Sequence, residues 1–264
     1  MKELQAKKSL GQNFLKDENV LNKIANSIDT DNDLIIEIGP GMGALTKKLK
    51  NKNSYLIAYE IDERTKEYLL PLEDEKTKII YKDFLKTDIK EDIKNLDYKY
   101  NNIYIIANIP YYITTPIIEH IIDEKIDVKA MSLLVQNEVA NRFSAKSKTK
   151  DYGAITVYLN NYFDIEKLFV VKNTCFNPVP KVDSAVVKFT RKDTVLEDKE
   201  FYNFLNTCFA QKRKTLKNNL KKYDWNQVKS ILNKYNILEN CRAEELDLEV
   251  FKELYKELYK ELGK

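Results

Sequence analysis

Apolar residues in the first two-thirds of the chain fall in short, nearly continuous runs that end on polar residues, with amphipathic stretches between them. Leu34-Ile35-Ile36-Glu37-Ile38 is the first. Ser54-Tyr55-Leu56-Ile57-Ala58-Tyr59 leads to Glu60, Lys78-Ile79-Ile80-Tyr81-Lys82 to Asp83, and Ile103-Tyr104-Ile105-Ile106-Ala107 to Asn108. Runs of this length, rich in Ile, Leu and Tyr, predict strands buried on both faces, as in a parallel sheet. Gly39 to Gly43 is a glycine turn, after which Ala44-Leu45-Thr46-Lys47-Lys48-Leu49 opens a helix. Ser132-Leu133-Leu134-Val135-Gln136 is a further apolar run, Ala154–Leu159 reads as a helix, and Ser184–Phe189 as a strand. The alternation predicts an α/β fold with a mainly parallel sheet between helices.

After Phe189 only helical spacing remains. Phe201, Phe204, Leu205, Cys208 and Phe209 recur at that spacing, as do Val228, Ile231, Leu232 and Tyr235, and then Phe251, Leu254, Tyr255, Leu258 and Leu262. This predicts a small all-α domain over 190–264 behind a larger domain over 1–189, with Thr190-Arg191-Lys192-Asp193 as the linker. The closing Lys-Glu-Leu-Tyr repeat gives a terminal helix one apolar stripe, which serves packing.

Composition narrows the class. With 264 residues, 43% hydrophobic and 32% charged, the chain is neither disordered nor membrane-embedded. No apolar run is long enough to span a bilayer, and Met1 to Lys8 is polar and basic, so a soluble cytoplasmic protein is expected. The three cysteines, Cys175, Cys208 and Cys241, are far apart and lack C-x-x-C pairing, which predicts free thiols and no metal site. The single histidine, His120, falls in a helical stretch and reads as structural. Net charge is only +3, but the basic residues cluster.

Gly39-Pro40-Gly41-Met42-Gly43-Ala44 satisfies G-x-G-x-x-A, and Glu60 lies where a dinucleotide fold places its ribose acid, so a nicotinamide enzyme fits this part of the chain. Asn108-Ile109-Pro110-Tyr111 points elsewhere. At the carboxyl end of a strand, the Asn side-chain oxygen and the Pro110 carbonyl can both accept from an exocyclic amine, while Tyr111 offers a face for a base. Asn and Pro are also turn formers, so these four residues alone fit a strand-ending turn equally well.

In order along the chain, Gly11-Gln12-Asn13-Phe14-Leu15, Glu37-Ile38-Gly39-Pro40-Gly41, Asn108-Ile109-Pro110-Tyr111, Lys150-Asp151-Tyr152-Gly153 and Phe176-Asn177-Pro178-Val179-Pro180-Lys181-Val182-Asp183-Ser184 resemble the motifs of the S-adenosylmethionine-dependent adenine-N6 dimethyltransferases of ribosomal RNA. The resemblance spans nearly the whole chain. Gln211-Lys212-Arg213-Lys214-Thr215-Leu216 and the segment after Pro180 are more similar to the small-subunit KsgA branch than to the Erm branch. It implies a Rossmann-like class I methyltransferase domain, S-adenosylmethionine as cofactor, and dimethylation of two adjacent adenosines in a hairpin loop near the 3′ end of 16S rRNA. The implied partner is small-subunit rRNA within the 30S subunit or its precursor, met by a monomer.

The resemblance also assigns residues. Asn13 and Leu15 close over the cofactor, Gly39 meets its methionine part, Glu60 holds the ribose hydroxyls, Asp83 accepts from the adenine amine, and Asn108 lies at the junction with the target base. Asn108, Pro110 and Tyr111 orient the target amine, with Phe176 closing the other face of the base. Lys146 and Lys148, beside Lys150 on a loop, and Lys212, Arg213, Lys214 and Lys217, in a basic run read as helical, are the expected RNA contacts, together with Lys7-Lys8. An Erm-like enzyme acting on 23S rRNA and a family member serving mainly in ribosome assembly remain as alternatives.

Overall fold

The computed structural model describes residues 5–7 and 10–260, with the Lys260 side chain left out, so Lys8 and Leu262 lie outside the described residues. Among the described residues nine strands and eleven α-helices follow one another, the last four of them helices. The strands are β1 (Phe14–Leu15), β2 (Leu34–Ile38), β3 (Tyr55–Glu60), β4 (Thr77–Tyr81), β5 (Ile103–Asn108), β6 (Val128–Gln136), β7 (Phe163–Val171), β8 (Phe176–Asn177) and β9 (Ser184–Arg191). The helices are α1 (Glu18–Ala25), α2 (Ala44–Leu49), α3 (Lys66–Leu69), α4 (Ile89–Lys94), α5 (Thr114–Asp123), α6 (Asn137–Phe143), α7 (Ala154–Tyr162), α8 (Glu200–Cys208), α9 (Leu216–Asn219), α10 (Trp225–Lys234) and α11 (Leu248–Lys260).

Seven strands form one sheet in the order β4-β3-β2-β5-β6-β9-β7. From β4 to β6 every neighbouring pair is parallel, and β9 joins β6 antiparallel. All five residues of β2 are buried because it lies in the middle of the sheet, covered on both faces; this is why its run reads as continuous apolar residues interrupted only by Glu37. Strand order reverses between β2 and β5, and the crevice beyond their carboxyl ends is where open α/β sheets take ligands. The glycine turn leaves β2 there and the Asn-Ile-Pro-Tyr segment leaves β5. Several helices start on an aspartate that accepts a backbone N–H, as Asp17 does for Val20 in α1 and Asp88 does for Glu91 in α4.

Two compact units result, one comprising residues through Ala140 with Glu166–Thr190, the other Asn141–Ile165 with the chain from Arg191 onward. The division expected at 189/190 therefore misses that 141–165 clusters with the carboxyl-terminal helices. The reason is aromatic. Tyr158 on α7 stacks on Tyr202 of α8 with centroids 4.4 Å apart, and the Tyr152 hydroxyl donates to the Leu246 carbonyl at 3.0 Å. Periodicity within either segment carries no trace of such pairings. Phe201, Phe204, Phe251 and Leu254 fill the core of this second unit, with no exposed side-chain surface. The basic run also differs from expectation: residues 209–215 form a turn between α8 and α9. No side chain from Ala210 to Thr215 is buried, and three adjacent like charges repel, so nothing holds that stretch in a helix.

His120 lies on α5 with Nε2 3.2 Å from the Thr87 carbonyl and its ring edge-on to Phe84, a structural position as expected. Cys208 and Cys241 are buried, Cys175 is partly exposed, and all three are free.

Candidate active site

The end of β2 turns sharply at Gly39, whose φ of +69° is open to glycine and strained for other residues. Its N–H donates to the Tyr59 carbonyl at 2.9 Å, and a Cβ placed on it would stand 4.0 Å from both the Asn108 carbonyl oxygen and Pro110 Cδ. The glycine turn and the Asn-Ile-Pro-Tyr segment are thus neighbours. They wall a cavity of about 700 Å³ whose lining includes Asn13, Leu15, Glu37, Gly39, Glu60, Asp83, Asn108, Pro110 and Tyr111. Every residue expected to bind cofactor lines it. Of the four expected to work on the target base, Phe176 does not.

Phe176 is only 3% exposed and belongs to the hydrophobic core around Leu15, Leu21 and Ile24. Its strand β8 pairs antiparallel with β1, setting Phe176 opposite Leu15. Phe176, expected to close the other face of the target base, is thus packed in the core and is not among the cavity-lining residues. Phe14, Tyr68 and Tyr112 also line the cavity, Tyr112 being 61% exposed, and are aromatics to which the sequence reading gave no role.

Glu60 ends β3 and is almost fully buried. Its Oε2 accepts from Gly41 N at 2.9 Å, and its Oε1 accepts from Ile61 N at 2.9 Å and Asp62 N at 2.8 Å. Burial raises its pKa while these three N–H donors pull it back. The carboxylate therefore shapes the loops on both sides and keeps a lone pair on Oε2 for a ligand hydroxyl. Asp83 is tied more loosely, with Oδ1 accepting from Leu85 N at 3.2 Å and Oδ2 lying 3.5 Å from Lys86 Nζ.

Glu37 is different. It is 1% exposed and its Oε2 has no hydrogen-bond partner among the described residues. Burial pushes its pKa up to about 8, the Glu60 charge adds to the rise, and Thr46 opposes it. A buried polar atom with no partner in a cavity wall is what a ligand bearing N–H or O–H groups would complete. Together with Glu60 and Asp83, it makes a donor-seeking wall that suits a nucleoside carrying an amine.

Beyond Asn108 the Pro110 carbonyl accepts from Ile113 N at 3.2 Å, which leaves its second lone pair free. The Tyr111 hydroxyl lies 2.7 Å from Ser184 Oγ. On the opposite wall, Gln12 fixes the segment carrying Asn13 and Leu15: its Nε2 donates to Asp62 Oδ2 at 2.8 Å, and its Oε1 accepts from Lys7 N at 2.8 Å. Asp62 is held down to about 2, chiefly by its hydrogen bonds from Arg64, and accepts from Arg64 Nε at 2.9 Å. Sequence reasoning found the motif around Gln12 but not its partner fifty residues on, because neither residue carries a local signal for the other.

In the second unit Lys146, Lys148, Lys212, Arg213, Lys214 and Lys217 are exposed. Lys212 Nζ donates to the Lys150 carbonyl at 2.8 Å, joining the two basic segments, and Lys217 Nζ lies 5.3 Å from the Trp225 ring centroid. Among the described residues no cluster of His, Cys, Asp and Glu has the arrangement of a metal site.

The profile of the family described as "Ribosomal RNA adenine dimethylase" matches residues 3–260. A curated relative from Mycoplasma mobile, "Ribosomal RNA small subunit methyltransferase A", is 42% identical over 255 residues, covering 93% of this chain and 95% of the relative. Among solved structures, a dimethyladenosine transferase from Plasmodium falciparum superposes with a TM-score of 0.74 at 28% identity, over 94% of this chain and 98% of that one. The 23S rRNA methyltransferase ErmE reaches 0.70 at 25% identity, over 94% of this chain and all of its own. With a nucleoside-sized cavity at the sheet's switch point and a match running almost from end to end, this chain belongs to the ribosomal RNA adenine dimethylase family.

Proposed function

We propose that this enzyme dimethylates adenine N6 in small-subunit rRNA, with S-adenosylmethionine held between the glycine turn and Asn108. The observation that carries this is that Glu37, Glu60 and Asp83 line the same cavity as Asn108, Pro110 and Tyr111. When bound, the cofactor supplies a sulfonium methyl that is already electrophilic. The protein's task is then orientation and exclusion of water. Glu60 accepts from the ribose hydroxyls, Asp83 from the cofactor's adenine amine, and Glu37 offers its unpartnered oxygen to a donor. Asn13 and Leu15 close over the cofactor, with Gln12 holding their segment to Asp62.

At the target, the Asn108 side-chain oxygen and the free lone pair of the Pro110 carbonyl accept the two N6 hydrogens. That draws the nitrogen lone pair out of conjugation and aims it at the methyl. Tyr111 stacks on the extruded base. Lys146, Lys148, Lys212, Arg213, Lys214 and Lys217 contact phosphates and position the RNA without reading sequence. The small subunit is favoured over the large by the name of the relative at 42% identity and by the segments Pro180–Val187 and Gln211–Leu216. The target is taken as two adjacent adenosines of a 3′ hairpin loop of 16S rRNA, in the 30S subunit or its precursor, met by a monomer in the cytoplasm. Among the described residues no helix is long and apolar enough to cross a membrane.

Supplying the enzyme with unmethylated small and large subunits and labelled S-adenosylmethionine tests the substrate. Label in the small-subunit RNA as dimethyladenosine supports the reading, and label confined to the large subunit overturns it. Asn108→Ala is expected to suppress transfer strongly while changing cofactor affinity only modestly. Near-normal dimethylation by that variant removes Asn108 from its role.

A further inference from the structure

Tyr111 is tethered by a residue that the cofactor reading does not use. Its hydroxyl meets Ser184 Oγ at 2.7 Å, and Ser184, the first residue of β9, has no exposed surface. The two ends of this bond rest on one rigid block. Asn108 at the end of β5 stands beside Leu134 of β6, and Gln136 at the end of β6 stands opposite Ser184. The chain entering Ser184 is fixed as well. The Asp183 carbonyl accepts from Asn137 N and its Oδ1 from Asn173 N, both at 3.0 Å, while the Pro180 carbonyl accepts from Asn173 Nδ2 at 3.1 Å. A serine so held is a fixed post. Pinning a tyrosine at its hydroxyl fixes the long axis of the ring, and breaking the bond would leave two partly or wholly buried hydroxyls without their partner.

We propose that Ser184 is a positioning residue that holds the Tyr111 ring by its long axis beneath the target adenine, and that it matters most for the second methyl transfer. The inference rests on the reading of Tyr111 given above. An unmethylated N6 donates two hydrogens, one to Asn108 and one to Pro110. When the first N–CH3 bond forms the donor's S–CH3 bond breaks, the donor leaves as its thioether and one N6 proton passes to solvent; a single N–H remains, so the pose of the base depends more heavily on the ring beneath it. A ring free to swing slows the second transfer more than the first, and monomethyladenosine accumulates. A general loss of structure slows both transfers together and leaves that ratio unchanged.

The test uses the full-length protein with unmethylated small subunits and labelled S-adenosylmethionine, resolving mono- and dimethyladenosine over time for Ser184→Ala, Tyr111→Phe, the double variant and Tyr111→Ala. Ser184→Ala and Tyr111→Phe are each expected to raise the mono-to-dimethyl ratio by roughly three- to tenfold, the worth of one net hydrogen bond, and in Ser184→Ala the first transfer should stay within about twofold of wild type. The double variant should be no worse than either single one. An unchanged ratio in Ser184→Ala, equal slowing of both transfers, or losses that add in the double variant overturns the role of Ser184. If Ser184→Ala does not fold, Tyr111→Phe removes the same bond from the other side, and an unchanged ratio there overturns the role equally. Normal transfer by Tyr111→Ala instead brings down the stacking reading on which the inference rests.

Discussion

Glu37→Gln should stabilise the ligand-free protein at neutral pH, by an amount that grows with pH. The Glu37 carboxyl is 1% exposed, and its pKa is raised from 4.5 to about 8. In the unfolded chain it ionises near its ordinary value; in the folded chain it keeps its proton until much higher pH. A carboxylic acid with a raised folded pKa therefore loses stability as pH climbs from about 4.5 toward 8, because the unfolded state releases a proton that the folded state retains. Each pH unit in that window costs about 1.4 kcal/mol, so by pH 7 the burden on the wild type is of the order of 3 kcal/mol. Glutamine does not titrate. Its amide will be imperfectly satisfied at a site that holds a carboxyl, a constant penalty of about 1–3 kcal/mol, so the readout is the slope and not the offset. Urea unfolding of both proteins at pH 5, 6, 7 and 8 measures it. The difference in unfolding free energy should move in favour of the variant by about 1 kcal/mol or more per pH unit. Parallel curves for the two proteins would refute the assignment of a neutral, buried Glu37.

Further expectations concern other elements. Gly43 has φ +79°, and a Cβ there would fall 2.5 Å from Leu72 Cδ1 and 3.2 Å from Leu69 Cδ2, so Gly43→Ala should cost about 1–3 kcal/mol in denaturant unfolding. Asp62→Asn removes the charge that binds Arg64 and Gln12. It should raise amide hydrogen exchange at Asn13 and Phe14 and destabilise by about 1–2 kcal/mol, discounted because Arg64 is partly exposed. Since the Asp62 pKa is lowered to about 2, its contribution is present above the ordinary value of 3.8 and lost as pH falls toward 2; a variant indistinguishable from wild type at pH 7 would refute the tie. Replacing Lys212, Arg213 and Lys214 together by alanine should weaken RNA binding and flatten its log–log salt dependence by about 2–3, with little change in thermal stability because all three are exposed. An unchanged salt slope would remove them from the RNA surface.

The strands of the parallel sheet were legible because each is a short apolar run closed by a polar residue, and burial on both faces demands that pattern locally. The cofactor wall was legible for a related reason. Gly39, Glu60, Asp83 and Asn108 sit at strand ends, and a parallel sheet brings its carboxyl ends to one side whatever the loops do. Motif order along the chain then carried the family. Tertiary structure alone decided what depends on contacts between distant segments. It paired β1 with β8 and so set Phe176 opposite Leu15 in the core. It grouped 141–165 with the later helices through the stacking of Tyr158 on Tyr202, and it tied Gln12 to Asp62 and Tyr111 to Ser184. The amino-acid sequence by itself determined which residues favour strand, helix or turn, since those preferences are set within a few neighbours. Which side chains meet, and which aromatics line the cavity, was settled by the packing of the whole chain, where burial free energy is shared among residues that no local pattern connects.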